Sequence, residues 1–66
     1  MKIQINGDPR EVSQGGTVEE VLSRLGIPLL AVLVEHNGTA LHRKEWSERL
    51  VNEGDVLEVI RIVAGG

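Results

Sequence analysis

One short helix, fenced at both ends, most limits what this chain can fold into. Thr17-Val18-Glu19-Glu20 is a capping-box sequence. Thr17 caps the helix, and Glu20, three residues on, reaches back to the cap residue's N–H. Glu19 and Glu20 also suit the positive first turn. Val18, Val21, Leu22 and Leu25 follow at i, i+3, i+4 and i+7, which is one apolar stripe. Gly26 is placed as the terminator, and Pro28 prevents continuation. The pattern predicts about two and a half turns. A helix of that length does not persist alone in water. It must therefore lie on a sheet, and the remaining residues must supply one.

They do so on both sides of the helix. Met1 to Asn6 alternates with period two, placing Met1, Ile3 and Ile5 on one face. Asn6-Gly7-Asp8-Pro9 is a turn cluster, and Arg10 to Ser13 returns as a short antiparallel strand. After the helix, Leu30 to His36 is an apolar run expected to form an interior strand. Asn37-Gly38 is a hairpin signal, and Thr39-Ala40-Leu41 pairs back. Trp46 and Leu50, four apart, suit one turn of short helix with its apolar side inward, the Trp N–H finding a partner. Asn52 to Asp55 is a turn, and Val56 to Val63 is a strand rich in β-branched residues. The order is β-β-α-β-β-(short helix)-β, an α+β chain. With 66 residues it is expected to be one domain, residues 1–66, with a flexible tail at 64–66.

A single amphipathic helix covers only one face of a sheet, so the other faces water or a partner. If Leu57 and Val59 face the helix, then Val56, Glu58, Ile60 and Ile62 do not. If Val32 and Val34 point inward, Leu33 and Glu35 point outward. An open-face patch of Leu33, Ile60 and Ile62, rimmed by Glu35 and Glu58, follows and suggests protein docking.

The chain carries little chemistry of its own. His36 and His42 have no third ligand at useful spacing and read as surface or hairpin histidines, not metal ligands. The carboxylates sit at caps, turns and solvent faces and form no catalytic pair, and no serine has a base–nucleophile arrangement. Gly15-Gly16-Thr17 lacks the Walker spacing and following Lys, so it reads as a turn plus cap. No cysteine is present, which excludes disulfide, zinc-thiolate and iron–sulfur sites and fits a cytoplasmic setting. The net charge of −3 argues against nucleic acid or an anionic membrane as partner. No segment is expected to act as a signal peptide or to span a bilayer.

The sequence finishes Val63-Ala64-Gly65-Gly66. Two glycines give an end thin enough to enter a narrow channel and unhindered at the carboxyl carbon. Fully extended, Ala64 to Gly66 projects on the order of 10 Å beyond the strand. Such an end suits a carboxylate that another protein's active site must reach and activate.

Taken together, several segments resemble the ThiS family, the sulfur carriers of thiazole (thiamine) biosynthesis. They are the Met1–Ile5 strand, Thr17-Val18-Glu19-Glu20-Val21-Leu22 and Val32-Leu33-Val34-Glu35-His36-Asn37-Gly38. Leu41-His42-Arg43-Lys44-Glu45-Trp46, Leu50-Val51-Asn52-Glu53-Gly54-Asp55 and Ile62-Val63-Ala64-Gly65-Gly66 complete the set. Many relatives carry Pro where this chain has His42, a departure outside the reactive tail. The resemblance implies a β-grasp, ubiquitin-like fold: a mixed four- to five-stranded sheet packed on one main helix, with first and last strands as central parallel neighbours. It implies that Gly66 is the reactive residue, positioned by Gly65 and Ala64, and that the protein is a co-substrate and not an enzyme. An adenylating (E1-like) enzyme using ATP and Mg would activate the carboxylate, and a persulfide donor would supply sulfur. The thiocarboxylate would then serve thiazole synthase. The carrier itself would bind no cofactor and be a monomer when free. Three other readings share these residues: a sulfur carrier for molybdopterin synthesis, a ubiquitin-like modifier joined through Gly66, and an interaction domain with an inert tail.

Overall fold

The computed structural model describes residues 1–63. Its element order is β1 (Lys2–Ile5), β2 (Asp8–Glu11), β3 (Gly16–Thr17), α1 (Val18–Arg24), β4 (Val32–His36), β5 (Thr39–Ala40), β6 (Leu50–Val51) and β7 (Val56–Arg61). Five strands form one sheet in the order β2-β1-β7-β4-β5. β1 and β7 pair in parallel at its centre, and the other pairs are antiparallel. The sheet is thus mixed, with the first and last strands side by side as expected.

The helix forms as its end signals require. The Thr17 side chain accepts from the Glu20 N–H at 3.2 Å, and the Thr17 N–H donates to Glu20 Oε1 at 2.9 Å. The Thr17 backbone N–H, then its hydroxyl, hold the Glu20 carboxyl below the usual carboxylate range, with Arg24 adding to the effect. Gly26 ends the helix at φ 75°. Val18, Val21 and Leu22 are buried with Ile3, Ile5, Val12, Val32, Val34, Trp46, Val51 and Leu57 in one core. Apart from Trp46 that core is aliphatic, so its cohesion rests on area removed from water.

Both hairpins turn on Asn-Gly. Asn6 and Gly7 lie at φ 53° and 84°, and Asn37 and Gly38 at 50° and 84°. Positive φ at both central residues is the type I′ turn that matches strand twist. The first turn is tighter than the expected four-residue cluster, so β2 begins at Asp8 and not at Arg10. Pro9 is tolerated there because β2 is an edge strand.

Several expectations are corrected. The run Leu30–His36 is not all strand: Leu29–Ala31 is a 3-10 turn, and Leu30 is 89% exposed. Pro28 starts that turn, its carbonyl accepting from the Ala31 N–H at 3.0 Å. The short helical turn falls at Arg43–Glu45, and Leu50 is exposed in β6, where period-two alternation buries Val51 instead. β6 pairs with β3 in a two-stranded ribbon that the sequence reading missed. β7 stops at Arg61, not Val63. Trp46 is only 2% exposed, yet its Nε1–H has no partner among the described residues.

Candidate functional site

The candidate site is the end of β7 and the face around it. Ala64, Gly65 and Gly66, named above as tail positioning and reactive residues, lie outside the described residues. What the structure describes is how the strand leading to them is held.

β7 is fastened on both sides. Its parallel partner sets Gln4 beside Val56 and Ile5 beside Leu57, and the Asn6 N–H donates to the Leu57 carbonyl at 3.0 Å. The Asn6 side chain then continues the ladder. Its Nδ2–H donates to Val59 C=O at 3.1 Å, while Val59 N–H donates to its Oδ1 at 2.7 Å. On the other side β4 pairs from His36–Leu57 to Val32–Arg61. One further bond, Ile62 N–H to Ala31 C=O at 2.7 Å, anchors the strand beyond its last regular residue.

The start of β7 is locked by a polar cluster that the sequence reading did not find. Asp55 Oδ2 accepts from the Asn52 N–H at 2.8 Å and lies 2.7 Å from His36 Nε2, while Oδ1 accepts from Asn37 Nδ2 at 3.2 Å. A carboxylate only accepts, so His36 Nε2 carries the proton. His36 is therefore not a surface histidine. Its side chain is 7% exposed and that of Asp55 13%. It still belongs to the hairpin, immediately before Asn37-Gly38. The signal available was the alternation of β4, which puts His36 on the same face as Val32 and Val34. Among the described residues no cluster of three or more His, Cys, Asp or Glu is placed to hold a metal.

Burial raises the Asp55 carboxyl, but the hydrogen bonds from Asn52, His36 and Asn37 outweigh it and hold the group below its ordinary value of 3.8. A lowered folded-state value means the contribution to stability is complete above 3.8, begins to fall below it, and is lost as pH drops on through the lower folded-state value. Asp55→Ala is expected to cost about 3 kcal/mol, since it leaves buried His36 without its partner. Urea unfolding at neutral pH measures that loss. Repeating it below pH 4 is expected to shrink the difference between variant and parent.

The sheet face away from α1 brings the remaining candidates together. Leu33 is directly opposite Ile60 and Glu35 opposite Glu58 in the β4–β7 pair. Leu33 is 56% exposed, Ile60 48% and Ile62 50%. Leu30 and Val63 add exposed apolar surface near the strand's end. Glu58 is exposed and Glu35 half-buried. No helix among the described residues is long and apolar enough to cross a membrane.

Comparison with known proteins is consistent along the chain. The model of the ThiS family matches residues 3–66. The sulfur carrier protein ThiS of Thermus thermophilus is 38% identical over 64 residues, covering 97% of this chain and 98% of that one. A crystal structure of the thiamine biosynthesis protein ThiS from Geobacter metallireducens superposes with a TM-score of 0.87 at 33% identity, covering all of both chains. The thiazole synthase of Paramagnetospirillum magneticum is 38% identical over 66 residues, all of this chain but 20% of that protein. The chain thus spans about a fifth of the length of the thiazole synthases it matches.

Proposed function

The chain belongs to the ThiS family as a sulfur carrier protein of thiamine biosynthesis, with the family's β-grasp fold, and from that premise we propose that its reactive atom is the carboxyl carbon of Gly66. It is a co-substrate and not a catalyst. The observation that carries the assignment is the anchoring of β7. Bonds hold the strand as far as Val59 on the β1 side and as far as Ile62 on the β4 side, fixing the point at which the chain leaves the sheet.

A carboxylate is a poor electrophile because its leaving group would be oxide or hydroxide. An adenylating enzyme using Mg-ATP joins the Gly66 carboxylate to AMP, releasing pyrophosphate. The outer sulfur of a persulfide then attacks the acyl carbon, and AMP departs. Cleavage of the remaining S–S bond by a thiol leaves the thiocarboxylate. The chain has no cysteine, so the sulfur comes from outside. Thiazole synthase is the proposed acceptor. Its candidacy is supported by relatives of that name in which a region similar to this whole chain forms part of a longer protein. On this reading the carrier works in the cytoplasm, as a monomer between encounters.

Leu33, Ile60 and Ile62 form the proposed docking patch for the adenylating enzyme, with Glu35 and Glu58 meeting basic residues on it. Leu33→Glu is expected to leave stability within about 0.5 kcal/mol, because the position is exposed. The same change is expected to raise the enzyme's KM for the carrier by about tenfold or more, read as pyrophosphate release against carrier concentration.

The decisive test is intact-mass spectrometry after incubation with the adenylating enzyme, Mg-ATP and a persulfide donor. The expected product is heavier by the exchange of one oxygen for sulfur, mapped to Gly66. Unchanged mass with a demonstrably active enzyme would overturn the assignment of Gly66. Sulfur transfer from the product to thiazole synthase then identifies the acceptor.

A further inference from the structure

β7 outruns its neighbour on one side. β1 ends at Ile5, opposite Leu57, and Asn6 fills the next position with its side chain before the backbone turns away at Gly7. On the other side pairing goes on to Ala31 and Ile62. Peptide groups of a strand point alternately to its two sides. The backbone groups of Leu57 and Val59 meet β1 and Asn6, and the Ile62 N–H meets the β4 side. By the same alternation the N–H and C=O of Arg61 point to the side that β1 vacates. Among the described residues they have no partner there. A short unpaired edge of this kind is a template for another strand.

Beside that edge, on the helix side of the sheet, is a cleft of about 320 Å³. Ile27, Pro28, Val32 and Val59 make its apolar wall, and Arg10 and Arg61 border it from β2 and β7. Neither guanidinium has a carboxylate within 4 Å among the described residues. Two unpaired arginines converging on one cleft are notable in a chain of net charge −3.

We propose that this edge and cleft receive an extended acidic segment of a partner protein, added to the sheet as a strand beside Arg61. Its backbone pairs with the free Arg61 groups, which supplies register. Side chains of the added strand alternate between faces, so those on the helix side enter the cleft. An apolar one packs on Val59 and Ile27, and carboxylates two residues to either side, on the same face, meet Arg10 and Arg61, whose planar forks suit them. A small free anion would satisfy the arginines but leave the edge unpaired. The site lies on the opposite side of the sheet from Leu33 and Ile60, and it does not depend on the sulfur-carrier reading.

The probe is a capped peptide about six residues long, the length of an ordinary strand, with Glu, Val and Glu at every second position and Ser between them. It is titrated into the isotope-labelled full chain and followed by amide chemical shifts. Shifts are expected at Arg10, Val59 and Arg61, not at Leu33. A Lys-for-Glu peptide is expected to bind about tenfold more weakly or not at all, and so is a peptide N-methylated at alternate amides. R10E and R61E are each expected to weaken binding by a similar factor. Arg10→Gln and Arg61→Gln, with spectra dispersed like the parent's, guard against misfolding as the cause. Absence of shifts at millimolar peptide, shifts confined to the Leu33 face, or equal binding of the N-methylated peptide would each overturn the proposal.

Discussion

With Gly66 deleted, the protein is expected to acquire no sulfur at all. Gly65 would then carry the terminal carboxylate, about 3.5 Å short of the position at which the proposed adenylating enzyme would engage Gly66. Reacting atoms tolerate a misplacement of only about 1 Å before the rate falls by orders of magnitude. Intact mass after incubation with Mg-ATP and the persulfide donor should stay unchanged. Thermal unfolding should also be unchanged, because β7 and its anchor at Ile62 precede the deletion. Sulfur loaded on Gly65 of the shortened chain would refute the assignment, whatever its effect on stability.

Trp46→Ala is expected to remove most of the stability. The side chain is the largest fully buried one, and large-to-small changes of this kind cost about 3–5 kcal/mol. A chain of 66 residues has roughly 3–10 kcal/mol in all. Urea unfolding should therefore begin almost without denaturant. Trp46→Phe is expected to behave differently, losing about 1 kcal/mol or less. It gives up area, but it also removes a buried Nε1–H that has no partner among the described residues. Arg43, whose guanidinium carbon sits 4.4 Å from the ring centroid, keeps an aromatic face beneath it. If Trp46→Phe proved as damaging as Trp46→Ala, the N–H would have to be engaged after all.

Periodicity made the architecture legible wherever it was strong. The capping box and stripe of α1, the inward Ile3 and Ile5, and the outward Leu33 and Ile60 all follow from residue spacing. Strand order did not follow from spacing. It came with the family resemblance, because alternation says which face a residue takes and nothing about its neighbour. Leu30 was misread because hydrophobicity alone does not separate a strand from a proline-started turn. The β3–β6 ribbon escaped notice because two-residue strands carry no period. The Asp55–His36–Asn37 lock was hidden for a different reason: its members come from separate turns and a strand end, and only the β4–β7 register brings them together. Leu33, Ile60 and Ile62 could be read as one exposed face from the sequence, whereas the proposed reactive role of Gly66 came through the family resemblance.

The side-by-side placement of β1 and β7 sets when the protein can fold. The two Asn-Gly hairpins close locally and early, but the centre of the sheet joins residues as far as 53 positions apart. Closing so long a loop costs entropy before any contact returns it, so the pairing of β1 with β7 is expected to follow the local hairpins. Until then β1–β2 and β4–β5 are two separate hairpins with apolar faces and no shared core. The strand that leads to the proposed reactive residue is also the one that joins the two hairpins into one sheet. A chain caught before β7 docks would therefore present an unfinished sheet, and if the proposed loading needs the folded carrier, it would be expected only of molecules that have completed the fold.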